Sequence, residues 1–202
     1  MNQYVVLVLG VNIRAQNRIT MEEQREALRT VASDLDARLV GNKGSYFVTS
    51  RHNAERVRDL ILNALTAYRP DLNLRGASVV TPALVETALA ELAKVLTARY
   101  GSDCDLQNHG IKLGTDTWRA GLAVPLFPGE IPPARLLLQE KWKNVKIFGW
   151  TPAGVLVAKR EAPNVHWGTT VTGPVARLLR SEENAILEFS SRSANILRDL
   201  LG

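Results

Sequence analysis

From Gly10 to Thr20 the chain reads GVNIRAQNRIT, with two arginines, two asparagines, a glutamine and no acid. The stretch follows an apolar run and precedes a helical pattern, so it joins the C-terminal end of a strand to the N-terminus of a helix. Such a connection presents free backbone N–H groups and the positive end of a helix dipole. Asn12, Arg14, Asn17 and Arg18 stand where they could join those groups around an anion. The loop has neither the Gly-x-x-x-x-Gly-Lys spacing of a phosphate-cradling loop nor the three-glycine dinucleotide fingerprint. Side chains would therefore hold a ligand as much as the backbone does. The competing reading is structural: the asparagines bond backbone groups to fix an irregular turn, and the arginines only solvate it. Glu22 and Glu23, just beyond, suit the same dipole and compete for the site.

Two further stretches mix cations with aromatics. KGSYFVTS, Lys43 to Ser50, partly echoes an RNA-recognition strand in which a basic residue and a glycine precede exposed aromatics. Strand alternation puts Tyr46 and Val48 on one face and Phe47 on the other, so plain sheet packing competes with base stacking. In KWKNVKIFGW, Lys141 to Trp150, a regular strand would place Lys146, Phe148 and Trp150 on one face, as a base-stacking surface requires. All four tryptophans, Trp118, Trp142, Trp150 and Trp167, lie in the second half, and core filling is the plainer use for them.

Catalytic constellations are thin. His52, His109 and His166 are far apart, and none has metal-ligand spacing to another His or Cys, so neither a metal nor a cofactor is expected. No Gly-x-Ser-x-Gly elbow is present. His109, beside Asp103, Asp105 and Asn108, reads as part of a polar loop. Cys104, the single cysteine, can form no internal disulfide and agrees with a reducing, cytoplasmic compartment. The N-terminal apolar run is too short for a signal peptide, and no segment approaches a membrane span.

The net charge of +5 favours polyanions only modestly. It is spread over the chain, with 11 Lys and Arg against 8 Asp and Glu in residues 1–80 and 14 against 12 in residues 81–202. No basic tail or block exists, so an anion site has to be made by folding.

The elements that must position these residues follow from pattern. Tyr4 to Leu9 is an unbroken apolar run, as in a strand buried on both faces. Thr20 and Glu23 form a capping-box pair, and Leu28, Val31 and Leu35 predict a helix over Thr20–Arg38. Arg38 to Val40 and Ser45 to Thr49 flank GNKG as a hairpin. Asn53 caps a helix to Tyr68, stopped by Pro70, and a strand spans Leu72 to Val80. The second half repeats the scheme with additions: a helix Leu84–Tyr100, a strand Trp118–Phe127, a short helix from Pro132 to Leu138, a hairpin of Val145–Trp150 and Gly154–Lys159, a helix from Thr172 to Leu179, a strand Ala185–Phe189 and a terminal helix Ser191–Leu201. The expected fold class is α+β: two ferredoxin-like (split βαβ) units, residues 1–80 and 81–202, with antiparallel sheets and helices packed on one face. The expected core includes Val6, Val8, Leu28, Val31, Leu60, Ile61, Leu65, Leu92, Val155, Val157 and Leu187.

The chain resembles the bacterial family of unknown function 1697. Its members begin with a strand, Gly-Ile-Asn-Val and a loop ending Ile-Pro-Met before an acidic first turn. Here the same place reads Gly10-Val11-Asn12-Ile13, then Asn17-Arg18-Ile19-Thr20-Met21-Glu22. The family's Ser-Gly-Asn turn before an apolar strand is matched at Lys43-Gly44-Ser45-Tyr46-Phe47-Val48 by its glycine alone. Its late Arg-Asn-Trp helix start is matched by the arginine of Arg192-Ser193-Ala194. The chain is thus similar to a divergent member. The resemblance implies two ferredoxin-like units and no particular activity.

The expected function is a non-catalytic module that binds a phosphate-bearing ligand or a nucleic acid through Asn12, Arg14, Asn17, Arg18, Lys43 and Arg192. The alternatives are an enzyme acting on a small anionic metabolite between the two units and a protein-interaction scaffold.

Overall fold

The computed structural model describes residues 1–12, 17–40, 44–101, 104–105, 110–113, 115–125, 144–163 and 184–188. They fall into two compact units, Met1–Pro82 and the described part of Ala83–Asn195. The expected helices at 132–138, 172–179 and 191–201 lie outside the described residues.

The first unit runs β1 (Asn2–Leu9), α1 (Met21–Arg29), β2 (Leu35–Leu39), β3 (Ser45–Ser50), α2 (Ala54–Tyr68) and β4 (Gly76–Val80). Its four strands lie in the order β2-β3-β1-β4, and every neighbouring pair is antiparallel. Strands β1 and β2 are therefore parallel to each other with β3 between them, and β3 and β4 likewise with β1 between them. Each helix makes one of these crossovers.

Helix α2 matches its pattern. The Asn53 side chain accepts from the Arg56 N–H at 2.9 Å, and Val57, Leu60, Ile61, Ala64 and Leu65 are buried. Helix α1 is shorter than its apolar spacing predicts and ends at Arg29 rather than Arg38. The Thr30 hydroxyl donates to the Ala27 carbonyl at 2.7 Å, and the N–H groups of Thr30, Val31 and Ala32 reach back only three residues. Residues such as Thr30, Ser33 and Asp34 compete with the helix for its own backbone groups. Leu35 still reaches the core, but from a strand, where it pairs with Ser50.

The core lies where Val6, Val8, Tyr46, Val48 and Ala77 of the sheet meet Ala27, Leu28, Val57, Leu60, Ile61 and Leu65 of the helices. Val31 packs against it while partly exposed. A fully buried aliphatic side chain of this kind contributes about 1.5–3 kcal/mol. The opposite face of the sheet is buried too, through Val5, Leu7, Phe47 and Val80. Both aromatics of the KGSYFVTS stretch are thus interior, which removes the base-stacking reading of that strand.

The second unit contains α3 (Pro82–Tyr100), β5 (Cys104–Asp105), β6 (Gly110–Leu113), β7 (Asp116–Pro125), β8 (Val145–Thr151), β9 (Gly154–Arg160) and β10 (Asn184–Glu188). Asp105, read from sequence as part of a polar loop with His109, pairs with Gly110, and Cys104 with Ile111, in two short strands; Asp103, Asn108 and His109 lie outside the described residues. On one side of β7 lies β9, followed by β8. On its other side β6 pairs with Asp116–Arg119 and β10 with Gly121–Pro125. The order β8-β9-β7-β10 repeats the permutation β2-β3-β1-β4 of the first sheet.

The middle of the second sheet is also buried on both faces. Leu122, Leu156 and Ala158 fill one face and Ala123, Ile147, Val155 and Val157 the other. Leu92 is buried with Val85, Ala88 and Leu96 on α3. Leu187 lies on β10, whose side chains are outside the description. The register slips between Ile147 and Gly149, making Phe148 the extra residue of a bulge. Trp150 therefore stands opposite Val155 on the face of Ile147, so Lys146 and Trp150 do not share the face that regular alternation predicts. Gly154 closes the β8–β9 hairpin at φ +151°, where a Cβ would meet the Ala123 carbonyl oxygen at 2.2 Å. No helix among the described residues is long and apolar enough to cross a membrane.

Candidate functional site

The loop after β1 is built from its asparagines. Asn12 adopts φ +55°, a conformation that asparagine tolerates better than most residues. Its side chain donates to the Ile19 carbonyl at 3.0 Å and accepts from the Ile19 N–H at 2.8 Å, while its own N–H reaches the Asn17 carbonyl at 2.9 Å. Asn17 is buried. Its amide donates to the carbonyls of Gly10 and Asn73, each at 3.1 Å, and accepts from the Asn73 N–H at 3.1 Å. Gly10, at φ +114°, permits this approach, because a Cβ there would come within 2.8 Å of the Asn73 oxygen.

Two loops are thereby joined, the one after β1 and the one before β4, with the Arg75 N–H on the Leu9 carbonyl at 3.0 Å as a further tie. Beneath them Ile19 and Val11 are buried. The Gln24 amide reaches the Ile19 carbonyl at 3.3 Å and accepts from the Tyr46 hydroxyl at 2.7 Å. Burial pushes the Tyr46 phenol well above its usual range, so it remains a donor.

At the helix start the expected capping box is complete. The Glu23 carboxylate accepts from the Thr20 N–H at 2.6 Å, and the Thr20 hydroxyl accepts from the Glu23 N–H at 3.2 Å. The Thr20 main-chain N–H, then the Thr20 side chain and Arg69, hold the Glu23 carboxyl below its usual range. Arg69 also grips Asp71 with two bonds of 2.8 Å, donates to the Arg18 carbonyl at 3.3 Å and lies 3.5 Å from Glu23. Asp71 is held low by those Arg69 bonds, and Arg69 is raised in turn.

Of the residues singled out from sequence, Asn12 and Asn17 are engaged by main-chain partners, and Glu23 rather than an external anion takes the Thr20 N–H. Arg18 is exposed, and its guanidinium has no partner among the described residues. Arg14, Lys43 and Arg192 lie outside them. Sequence reading missed Arg75, which is likewise exposed and without a side-chain partner among the described residues. The loops that carry Arg18 and Arg75 are joined by the Asn17 bonds to Asn73, a link across 56 positions that no local pattern announces.

Elsewhere the His52 imidazole lies 3.3 Å from the Asp34 carboxylate. Ser50 does not complete a triad with them, because its hydroxyl donates to the Asp34 carbonyl and accepts from the His52 N–H. Among the described residues no three His, Cys, Asp or Glu side chains gather where they could hold a metal ion.

The chain is similar in fold to a conserved bacterial protein from Streptococcus pneumoniae, with a TM-score of 0.56, 15% sequence identity and 98% of each chain covered. At that identity the likeness speaks for the fold alone. No family model matches the chain, and no curated protein matches it in sequence.

Proposed function

We propose that the protein is a divergent member of the bacterial family of unknown function 1697, built of two ferredoxin-like units. We further propose that it is a non-catalytic cytoplasmic module that binds a phosphate-bearing ligand, free or within a nucleic acid. The first unit's crossovers, the β2-β3-β1-β4 order and its repetition in the second sheet support the fold part of this reading. The family part rests on the Gly10–Thr20 segment, where the resemblance is most specific and the asparagines are structural.

One observation carries the binding reading. Arg18 and Arg75 are exposed guanidinium groups, unpaired among the described residues, on two loops that Asn17 clamps together, while the neighbouring acids Glu23 and Asp71 are already paired with Arg69. The local field is therefore positive, and the clamp lowers the ordering cost of binding. The ligand meets these arginines rather than the α1 N-terminus, whose cap is filled.

Titration with a 5′-phosphorylated single-stranded oligonucleotide at several salt concentrations tests the reading. Affinity should fall linearly with log salt, and an Arg18→Ala, Arg75→Ala double variant should flatten that slope by about 0.7 for each phosphate it no longer neutralises, with an unchanged melting temperature. Equal affinity of the variant for both the oligonucleotide and inorganic phosphate would make the arginines mere solvating groups.

A further inference from the structure

In the second unit three buried polar atoms have no hydrogen-bond partner among the described residues: the indole Nε1 of Trp118, the guanidinium Nε of Arg160 and the amide Oδ1 of Asn144. They are not scattered. Trp118 on β7 stands directly opposite Arg160 on β9, and the Arg160 N–H bonds the Asn144 carbonyl at 3.0 Å, one step before β8 begins. The three residues form one row across three adjacent strands. Residues opposite each other in an antiparallel ladder share a face, so all three side chains belong to the same face of the sheet.

Asp116 and Lys146 lie on that face as well. Asp116 accepts from Arg160 Nη1 at 3.4 Å, and the Lys146 ammonium sits 5.1 Å from the centre of the Trp118 ring. Trp118 is only 5% exposed. A buried polar atom without a partner is uncommon, because its desolvation goes uncompensated. Three in one row therefore need a common cause.

Their chemistry is specific. An indole Nε1 and a guanidinium Nε can only donate, and an amide Oδ1 can only accept. Two cations and one acid leave the cluster net positive. We propose that this row is a binding site for a small oxyanion that also carries a hydroxyl group. Its carboxylate or phosphate oxygens accept from Trp118 Nε1 and Arg160 Nε, and its hydroxyl donates to Asn144 Oδ1. The site shares no residue with the Arg18/Arg75 loops of the first unit.

The test is calorimetric titration of the full chain with glycerol 3-phosphate and with glycerate, which separate the phosphate from the carboxylate source, against inorganic phosphate and glycerol, which each supply one half of the recognition. One of the two hydroxylated anions should bind roughly tenfold or more tightly than either control. Trp118→Phe keeps an aromatic side chain, though a smaller one, and removes the donor. It should weaken that binding by roughly tenfold, while its cost to the free protein is that of packing a smaller ring, since it breaks no hydrogen bond there. Arg160→Lys keeps the charge, removes the Nε donor and should weaken binding too; it carries the test if Trp118→Phe fails to fold. Arg18→Ala with Arg75→Ala should leave this binding unchanged, which separates its outcome from that of the loop reading. Absence of binding by both hydroxylated anions, or a Trp118→Phe variant that binds them equally well, overturns the proposal: the indole N–H is then held by buried water.

Discussion

The two sheets share one strand permutation, and the same corner of each is finished differently. In the first unit the row Asn2, Ser50 and Leu35 ends β1, β3 and β2. There the Asn2 amide and the Tyr4 hydroxyl donate to the His52 carbonyl, and the Ser50 hydroxyl bonds the Asp34 carbonyl and the His52 N–H. In the second unit the topologically equivalent row is Trp118, Arg160 and Asn144, and each of these residues keeps a buried polar atom unpaired among the described residues. A corner closed by its own main chain serves the fold alone. A corner with three unmatched polar atoms costs the free protein stability and gains it back only when something binds.

The comparison first requires that both sheets be held by buried apolar packing, so core substitutions should cost most. Ile61→Ala, at a site with no exposure, should destabilise by roughly 2–5 kcal/mol in denaturant unfolding, and Leu156→Ala in the second sheet by a similar amount. Gly154→Ala should do at least as much harm, since its Cβ would overlap the Ala123 carbonyl in a backbone conformation that alanine avoids. If Leu156→Ala were nearly neutral, the second sheet would not be packed like the first.

Next in size are the polar locks of the first unit. Asn17→Ala strips partners from the Gly10 carbonyl and from both backbone groups of Asn73, and should cost about 1–3 kcal/mol. Tyr46→Phe removes one buried bond to Gln24 and should cost about 0.5–1.5 kcal/mol. By contrast Trp118→Phe breaks no hydrogen bond, so its cost to the free protein is only that of packing a smaller ring, and its larger effect should be on anion binding. The contrast fails if Trp118→Phe binds the hydroxylated anions as tightly as the unmodified chain does.

What the sequence made legible was local. Asn53 with its apolar helical spacing announced α2, and Thr20 with Glu23 announced the start of α1, because caps and periodicity act within a few residues. The end of α1 was hidden: Leu35 continues the apolar spacing, yet its partner is Ser50 on another strand. Gly10, Asn12 and Asn17 mark a special loop, and asparagines there suit a structural turn as well as a ligand. That Asn17 meets Asn73, or that Trp118, Arg160 and Asn144 share a row, follows from strand register, which composition and spacing do not encode. Alternation alone misplaced Trp150, because one extra residue at Phe148 moves everything after it to the other face.

The smallest expected effect concerns the charged clasp beside the Asn17 lock. The Thr20 N–H, the Thr20 hydroxyl and Arg69 hold the folded Glu23 carboxyl below its usual range, and Arg69 does the same for Asp71. In the unfolded chain both titrate at ordinary values, so on acidification the unfolded state takes up these protons first. The clasp's contribution is therefore fully present above the ordinary carboxylate range and is lost as pH falls through the lower folded values. Both groups are solvent-accessible, so the effect is small and screened by salt. Plotted against pH from about 5 down to about 3, the melting temperature of Glu23→Gln should fall less steeply than that of the unmodified chain. Equal slopes would mean that the capping box is held by its neutral hydrogen bonds alone. The first unit's lock would then rest on its asparagines, and the contrast with the second unit would be one of amide bonding rather than of charge.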